Sequence, residues 1–295
     1  MTKCVIIVTY EPELNNLRQL TENVEKAGFI PVIVDNSVKY PVKQEEISKM
    51  SRVVSMHGNA GIAAAQNAGI QIAQSLGACK IAFFDQDSMA DENLLRKLEN
   101  SLDKLGECVV TPLALNKETK EEYPAQRLNK IGYPIDIFVK GETTPQKADL
   151  VISSGMMMTV GVLQKVGNYD EDFFIDFVDL EWCLRCRKAK IPVYIIPDVI
   201  LLHKIGSTDI QAGEMKIVVH SPVRTYYKVR NSFLMLYKRA GVIFTIRQIL
   251  PALIHNFLLI FSVKEKGSYL KYYCLGVIHG IFGIRGKYPG GKKDA

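Results

Sequence analysis

The stretch KIAFFDQDS (residues 80–88) is a short apolar run that stops at two aspartates one residue apart. Apolar runs of this length are typical of strands that are buried inside a sheet. Asp85 and Asp87 follow the run directly, and aspartates in such places often form a solvated turn. Two carboxylates this close together can also hold Mg²⁺ together with the phosphates of a substrate. The stretch by itself leaves both alternatives open, a turn or a metal site.

Apolar runs of the same kind alternate with helical patterns over the first two thirds of the chain. KCVIIVTY (residues 3–10) and PVIVDNS (residues 31–37) have the β-branched composition of strands. Residues 11–27 and residues 61–77 carry apolar side chains at helical spacing. Strands that alternate with helices predict an α/β fold, with a mainly parallel sheet flanked by helices.

The pattern continues less regularly beyond the opening stretch. CVVTPLAL (residues 108–115) predicts a further strand, and the polar residues 116–148 predict a loop or a small excursion. DLVISSGMMMTV (residues 149–160) resumes a strand, and residues 178–189 have a helical pattern. The apolar segment at residues 192–204 predicts the last strand of this part.

Polar residues follow three of the predicted strands at the point where each strand ends. They are Thr9-Tyr10, Asp35-Asn36 and Asp85-Gln86-Asp87. Ligands of parallel α/β sheets bind outside the carboxyl ends of the strands, because these ends meet at one edge. We therefore expect the three polar groups to converge there.

Charge is distributed unevenly along the chain of 295 residues, whose net charge is +6. Residues 216–295 contain 14 Lys and Arg but only two acids, so that residues 1–215 carry a net charge of −6. A basic segment of this kind suits nucleic acid or an anionic membrane surface. Long apolar runs such as LLIFSV (residues 258–263) lie among the charges and argue against nucleic acid, so we expect no nucleic-acid partner.

The basic segment predicts a helical region from residue 221 onward. A helix mixing Arg and Lys with Tyr and Phe is predicted at residues 221–241, and two apolar segments follow at residues 242–263 and 269–284. Arg247 and a proline interrupt the first apolar segment, which is therefore not a clean membrane span. We interpret these segments as helices that lie in a membrane interface. A helical subdomain packed on the sheet is the alternative.

Three further sites of charged or titratable residues allow more than one interpretation. The acids in FFIDFVDLEWCLRCR (residues 173–187) fit the first turn of a helix, where the helix dipole stabilises carboxylates, or a general base. His203 follows an apolar run and is either structural or a partner of metal or phosphate. Arg224 and Arg230, six residues apart with aromatic residues between them, suit a diphosphate or face anionic lipid.

Taken together, these signals resemble one family. Its motifs occur in order as VTYEPE (8–13), VDNS (34–37), NAGIAAAQNAG (59–69), FFDQDS (83–88), SSGMMM (153–158), FIDFVDLEWCLR (174–185), HKIG (203–206) and RTYYKVRN (224–231). The chain resembles glycosyltransferase family 2, and within it the bacterial rhamnosyltransferases, over roughly residues 3–235. The resemblance implies a GT-A (Rossmann-like) catalytic domain at residues 1–220, followed by a basic amphipathic helical region at residues 221–295.

The resemblance also implies roles for individual residues. The nucleotide-sugar is bound by Thr9, Tyr10, Asp35, Asn59, Gly61, Asn67, Asp85, Asp87, Arg224, Tyr227 and Arg230. The metal is held by Asp87, Asp85 and His203, and the acceptor and sugar lie near Ser154, Gly155, Asp176 and Glu181. Asp179 is the catalytic base. Many relatives have Glu-Asp at this motif where the present chain has Val178-Asp179. Asp176 is close enough in sequence to compete for the role.

The reaction implied is an inverting transfer of L-rhamnose from dTDP-L-rhamnose, with Mg²⁺ or Mn²⁺ as cofactor. The acceptor implied is a lipid-linked surface polysaccharide such as O-antigen or capsule. The enzyme is expected at the cytoplasmic face of the bacterial inner membrane as a peripheral protein, and a homodimer is left open. Two alternatives are a family 2 transferase that uses UDP-galactofuranose or UDP-glucose, and a non-catalytic nucleotide-sugar-binding protein of the same fold.

Overall fold

The computed structural model describes residues 1–203, 208–212, 215–238 and 242–290. Its strands are β1 (Thr2–Thr9), β2 (Ile30–Asp35), β3 (Arg52–Ser55), β4 (Ala78–Asp85), β5 (Val109–Asn116), β6 (Ala125–Leu128), β7 (Pro134–Ile137), β8 (Gln146–Ala148), β9 (Met157–Thr159), β10 (Val193–His203), β11 (Thr208–Ala212) and β12 (Met215–Val219). Its α-helices are α1 (Leu14–Lys26), α2 (Ile62–Ser75), α3 (Glu92–Leu105), α4 (Val160–Val166), α5 (Val178–Lys188), α6 (Pro222–Tyr237), α7 (Val242–Ser262) and α8 (Lys266–Ile281).

Eight of these strands form one sheet in the order β3-β2-β1-β4-β9-β5-β10-β8. The strand β1 pairs in parallel with β2 and β4, β2 pairs in parallel with β3, and β5 pairs in parallel with β10. The short strand β9 lies antiparallel between β4 and β5, and β8 is antiparallel to β10 at the edge. The predicted α/β fold with a mainly parallel sheet is confirmed.

Helices cover both faces of this sheet because alternate side chains of each strand point to opposite faces. In β1, Ile6 lies in one apolar core with Ile70 of α2. Its neighbour Ile7 lies in a second core with Leu17 of α1. All four side chains are fully buried. The continuous apolar run of β1 therefore follows from burial on both sides.

Two segments differ from the sequence expectation. Residues 116–148, expected as a loop or a small excursion, contain β8 and an antiparallel hairpin of β6 and β7. Of residues 149–160, expected as a strand, Met157–Thr159 form the strand β9. The chain turns just before it at Gly155, whose φ is 87°, and this left-handed backbone conformation does not belong to an extended strand.

The C-terminal helices pack on one another and against the end of the sheet that carries the polar loops. Helix α6 contacts both α7 and α8. Beyond α8, the backbone N–H of Gly286 donates to the carbonyl of Asp172 at 2.7 Å. The Nζ of Lys287 donates to the carbonyl of Asn59 at 2.9 Å. The segment that follows α8 therefore lies beside the loops at the strand ends, while the boundary expected at residue 220 stays a prediction.

Helix α7 leaves many of its apolar side chains exposed. Its Ile243–Ser262 stretch has a mean hydropathy of 1.6 and is 29% buried, so by length and composition it could cross a membrane. Pro251 lies inside this helix. The exposed large apolar residues are Ile243, Ile246, Leu250, Ile254, Phe257, Leu258 and Phe261.

Gly69 allows α2 to lie directly on β1. A methyl group added at Gly69 would lie 2.5 Å from Cγ2 of Ile6 and 3.2 Å from Cγ2 of Val34. Both neighbours are fully buried β-branched side chains with little rotamer freedom. We expect Gly69→Ala to lower the free energy of unfolding by about 1–3 kcal/mol, because the core becomes overpacked.

Gly161→Ala in α4 is the matched control for this prediction. The nearest atom to its added methyl group would lie at 3.7 Å, an ordinary van der Waals distance. Alanine also has the higher helix propensity, so this variant should be neutral or gain up to about 1 kcal/mol. Urea unfolding measures the free energy of unfolding of both variants. Equal values for Gly69→Ala and Gly161→Ala would contradict the close packing of α2 on β1.

Candidate active site

The ends of β1 and β2 are joined by a buried carboxylate. The Thr9 hydroxyl donates to Oδ1 of Asp35 at 2.8 Å, and the Ser37 hydroxyl donates to the same oxygen at 2.7 Å. The other oxygen, Oδ2, accepts from the backbone N–H of Val42 at 3.0 Å. Asp35 is fully buried and so orders the chain that leaves β2. Thr9 and Asp35 are thus brought together as predicted.

Gln86 links the ends of β1 and β4 through the backbone of Tyr10. Its Oε1 accepts from the Tyr10 N–H at 2.7 Å, and its Nε2 donates to the Tyr10 carbonyl at 3.2 Å. Gln86 was expected at this edge of the sheet, and its link to the Tyr10 backbone was not predicted. The side chain of Tyr10 is 40% exposed beside this link.

Asp85, Asp87 and His203 form a cluster that can hold a metal ion. One ligand atom from each of the three lies within 4.8 Å of the others. The Nε2 atom of His203 is 3.7 Å from Oδ2 of Asp85. The residues that follow His203 in its motif, Lys204-Ile205-Gly206, lie outside the described residues. Two carboxylates and an imidazole are a donor set that suits divalent Mg²⁺ or Mn²⁺.

The electrostatics of the cluster favour a bound cation. Asp85 keeps 35% of its side-chain surface exposed. It nevertheless lies deep among neighbouring atoms, and this desolvation raises its pKa. The negative charge of Asp87 acts in the same direction. Within the described part of the chain, the buried Nδ1 of His203 has no hydrogen-bond partner. A divalent cation would stabilise both carboxylates in their ionised form.

Ser154 and Gly155 form the floor beneath the two aspartates. The hydroxyl of Ser154 accepts from the backbone N–H of Asp85 at 3.4 Å and shares a hydrogen bond of 2.8 Å with the Ser88 hydroxyl. The N–H of Gly155 donates to the carbonyl of Phe83 at 2.7 Å. A Cβ atom at Gly155 would lie 2.5 Å from Pro112, so only glycine fits this turn.

Asp176 lies on the loop that leads into α5, and Asp179 lies in the first turn of that helix. Two nitrogens of Arg224 donate to Asp176, with Nε 3.1 Å from Oδ2 and Nη2 3.1 Å from Oδ1. Asp179 is in the first turn of α5, and its Oδ1 accepts from the N–H of Leu180 at 2.9 Å. Burial raises the pKa of Asp179 to about 6, and the charge of Asp176 adds to the rise. A carboxylate with this pKa can accept a proton near neutral pH.

The loop at residues 59–61 touches the loop that carries Asp176. The Oδ1 of Asn59 accepts from the N–H of Gly61 at 3.0 Å. Gly61 has a φ of 90°, and a Cβ atom there would lie 2.6 Å from Phe174. Asn59 and Gly61 are therefore placed next to the predicted base loop, and Lys287 contacts Asn59 from the far end of the chain. No sequence signal pointed to Lys287.

Two predicted site residues make contacts that differ from the expected roles. Glu181 lies on the same helix as Asp179, but both of its oxygens accept from Nε of Arg185, at 2.9 and 3.0 Å. Asn67 donates from Nδ2 to the carbonyl of Tyr169 at 2.9 Å, and its Oδ1 accepts from the N–H of the same residue. Both side chains thus have partners within the protein, and their roles at the substrate stay predictions.

Tyr227 and Arg230 on α6 also depart from expectation. The ring of Tyr227 stacks on Phe174 with a centroid distance of 4.8 Å, and its hydroxyl accepts from the N–H of Tyr288. Arg230 is fully buried and donates from Nε, Nη1 and Nη2 to oxygens of the protein. The guanidinium of Arg230 is engaged by backbone and side-chain oxygens, and its role in diphosphate binding stays a prediction. Of the two arginines, Arg224 remains at the site beside Asp176.

Comparisons with known proteins agree with this geometry. The model of the family "Glycosyl transferase family 2" matches residues 4–167. A dTDP-rhamnosyl transferase, RfbF of Shigella flexneri, is 39% identical over 293 residues, which are 98% of each chain. A low-salt glycan biosynthesis hexosyltransferase, Agl10 of Haloferax volcanii, is 23% identical over 96% of this chain and 92% of its own.

Solved structures show the same fold at low sequence identity. GalNAc-T7 with UDP, GalNAc and Mn²⁺ has a TM-score of 0.55 at 13% identity, and the match covers 96% of this chain and 58% of that one. Residues 1–349 of Staphylococcus aureus TarS with UDP-GlcNAc have a TM-score of 0.54 at 15% identity, over 96% and 82% of the two chains. On these similarities, the chain has the GT-A fold and belongs to glycosyltransferase family 2.

Proposed function

We propose that this glycosyltransferase transfers L-rhamnose from dTDP-L-rhamnose to a hydroxyl of a lipid-linked surface polysaccharide, with inversion at the anomeric carbon. The observation that carries the proposal is the Asp85–Asp87–His203 cluster, which can hold a metal ion. The chain also contains Asp179, whose pKa is raised to about 6. The choice of donor is supported by the dTDP-rhamnosyl transferase that shares 39% of its residues along almost the whole chain.

Asp179 is the catalytic base in this proposal, and the contacts of its competitors support the choice. Both oxygens of Asp176 accept from Arg224, and both oxygens of Glu181 accept from Arg185. A carboxylate held by a guanidinium is a poorer proton acceptor than one without a cationic partner. Arg224 is close enough to both Asp85 and Asp179 for their charges to raise its pKa.

The transfer is a displacement at the anomeric carbon. The acceptor oxygen forms a bond to this carbon as the bond to the diphosphate oxygen breaks, and the electron pair of that bond leaves with the nucleotide. Asp179 takes the proton of the acceptor hydroxyl. Arg224 offsets the charge that grows on the diphosphate. Asp87, Asp85 and His203 would hold Mg²⁺ or Mn²⁺, which when bound supplies further stabilisation of that charge.

The donor is tested by calorimetric titration of the full chain with dTDP, UDP and GDP, each with and without Mg²⁺. We expect selective binding of dTDP that weakens when the metal is removed. Asp87→Asn should weaken dTDP binding in Mg²⁺ to the level of the metal-free wild type, because the site then lacks a carboxylate that would hold the cation. Preference for UDP would keep the fold and change the donor sugar. No binding of any nucleotide would contradict the proposal.

Removal of the base should separate chemistry from binding. We expect Asp179→Asn to lower the transfer rate by about 10²–10⁴-fold, because an amide cannot accept the proton. Binding of dTDP should remain unchanged in calorimetry. Asp198→Asn is the matched control, since the side chain of Asp198 is 71% exposed and pairs with Lys97 on the surface. Wild-type turnover in Asp179→Asn would exclude Asp179 as the base.

The raised pKa of Asp179 also predicts how turnover and stability depend on pH. Asp179 must be ionised to act as a base, so the rate of the wild type should fall as the pH drops below about 6. Because its pKa is raised in the folded state, ionisation above that pH costs stability. The Asn variant should therefore be at least as stable as the wild type at pH 8 in thermal unfolding. A clear loss of stability there would mean that misfolding explains the loss of turnover.

We also propose that the basic C-terminal region binds an anionic membrane surface, which places the enzyme at the cytoplasmic face of the bacterial inner membrane. The exposed apolar side chains of α7 and the exposed lysines Lys264, Lys266 and Lys271 support this. An apolar face bordered by cations is the usual composition of an interfacial helix. The lipid-linked acceptor and the enzyme would then meet on one surface.

Vesicle flotation tests the membrane proposal. We expect the chain to bind phosphatidylglycerol vesicles and to be released by high salt, which screens exposed charges. The double variant Leu250→Gln/Ile254→Gln should lose binding, whereas Tyr40→Gln, an exposed aromatic in a loop after β2, should retain it. The alternative is that a second copy of the chain covers this face, and light scattering tests it. A fall in the molar mass of the double variant, with unchanged flotation, would indicate a homodimer instead.

A further inference from the structure

The loop from Asp172 to Phe177 has a strained backbone. Phe174, Asp176 and Phe177 have φ angles of 64°, 60° and 67°, in the left-handed region that side chains of this size rarely adopt. Such a conformation is energetically costly and persists only where surrounding contacts impose it. The loop carries Asp176 and leads directly into the helix of Asp179, so the contacts that impose its shape also place both carboxylates.

The amide of Asn231 supplies most of these contacts. Its Nδ2 lies 2.9 Å from the carbonyl oxygen of Phe173, 2.7 Å from that of Ile175 and 3.0 Å from that of Asp176. Three carbonyls of the strained loop thus converge on one nitrogen. Asn231 is fully buried on α6. Buried carbonyl groups are costly to leave without a hydrogen-bond donor, so the loop carbonyls depend on the Asn231 amide.

Arg230 holds the amide of Asn231 in the orientation that this requires. Its Nε and Nη2 lie 2.8 and 2.7 Å from Oδ1 of Asn231. Its Nη2 also donates to the carbonyl of Phe173 at 2.9 Å, and its Nη1 donates to the carbonyl of Gly286. The rings of Tyr226 and Tyr227 lie 5.4 and 5.0 Å from the guanidinium carbon.

We infer that Arg230 and Asn231 are positioning residues, which fix the loop at residues 172–177 so that Asp179 meets the acceptor in a reactive geometry. They act through backbone carbonyls and touch neither donor nor acceptor. The inference rests on the proposed function in that it takes Asp179 as the base. A positioning role depends on the hydrogen-bond geometry of Arg230. A role in diphosphate binding would need only a positive charge near the nucleotide.

The inference also gives the segment after α8 a part in the active site. The N–H of Gly286 donates to the carbonyl of Asp172 at 2.7 Å, and its carbonyl accepts from Arg230. Gly286 thereby joins the network that holds the loop. A chain truncated before α7 would lose this support for the base loop as well as its apolar helices. For that reason the tests below use point variants of the full chain.

The first test compares Asn231→Ala with Asn256→Ala. Asn256 is a buried asparagine of α7 whose Nδ2 donates to Ala252 in its own helix at 2.7 Å. We expect Asn231→Ala to lower kcat by about 10–100-fold, the effect of a small misplacement of a reacting group. Its KM for dTDP-L-rhamnose and its affinity for dTDP should stay within twofold of wild type. Asn256→Ala should leave kcat within twofold.

The second test uses Arg230→Lys, which keeps the charge but loses the planar fork. A positioning role predicts a loss of kcat with unchanged KM for the donor. A role in diphosphate binding predicts that lysine retains most of the activity, and that Arg230→Ala raises the KM for the donor. The second pattern would overturn the inference. If Asn231→Ala does not fold, Arg230→Lys still tests the positioning role.

Hydrogen exchange supplies a readout that needs no turnover. We expect amides at residues 173–177 to exchange at least tenfold faster in Asn231→Ala, while amides of β1 and β4 keep their wild-type rates. Unchanged exchange in the loop would overturn the inference. If the wild type itself fails to transfer rhamnose, the proposed function fails, and the exchange measurement still decides whether Arg230 and Asn231 hold the loop.

Discussion

The parallel pairing of β1 with β4 is the constraint on which the site depends. Its register sets Val8 opposite Asp85, while the pairing of β1 with β2 sets Thr9 opposite Asp35. Because parallel strands end at one edge, polar residues distant in sequence arrive there together. The close approach of α2 at Gly69 and the two apolar cores maintain this register. Any change that slid β4 along β1 would separate Asp85 from the loops that surround it.

The site concentrates negative charge, and its cations are arranged accordingly. Asp85, Asp87, Asp176 and Asp179 share one region, and Arg224 pairs with one of them. Carboxylates that crowd together raise the pKa of one another unless a cation intervenes. A divalent cation would offset part of this negative charge, and the anionic diphosphate of a nucleotide could then bind beside it.

We propose two tasks for the helices of the C-terminal region. Their outer surface is apolar and basic, as an interfacial helix requires. Their inner surface, through Arg230, Asn231 and Gly286, holds the backbone of the base loop. The region proposed to bind the membrane thus also supplies the residues that hold the base loop.

Local periodicity determined much of this protein. Strand and helix alternation yields the sheet, and strand ends followed by polar residues identify the edge where Asp85, Asp87 and Thr9 meet, because burial imposes those patterns residue by residue. Tertiary structure decided the rest. Asp179 and Glu181 look alike in sequence, yet successive helix positions point in different directions and only Glu181 reaches Arg185. Arg230 resembles a phosphate ligand in the sequence. Its carbonyl partners, Phe173 and Gly286, lie far away along the chain and are identified only by the packing. Side-chain type is local information, whereas the identity of a partner depends on how the chain is packed.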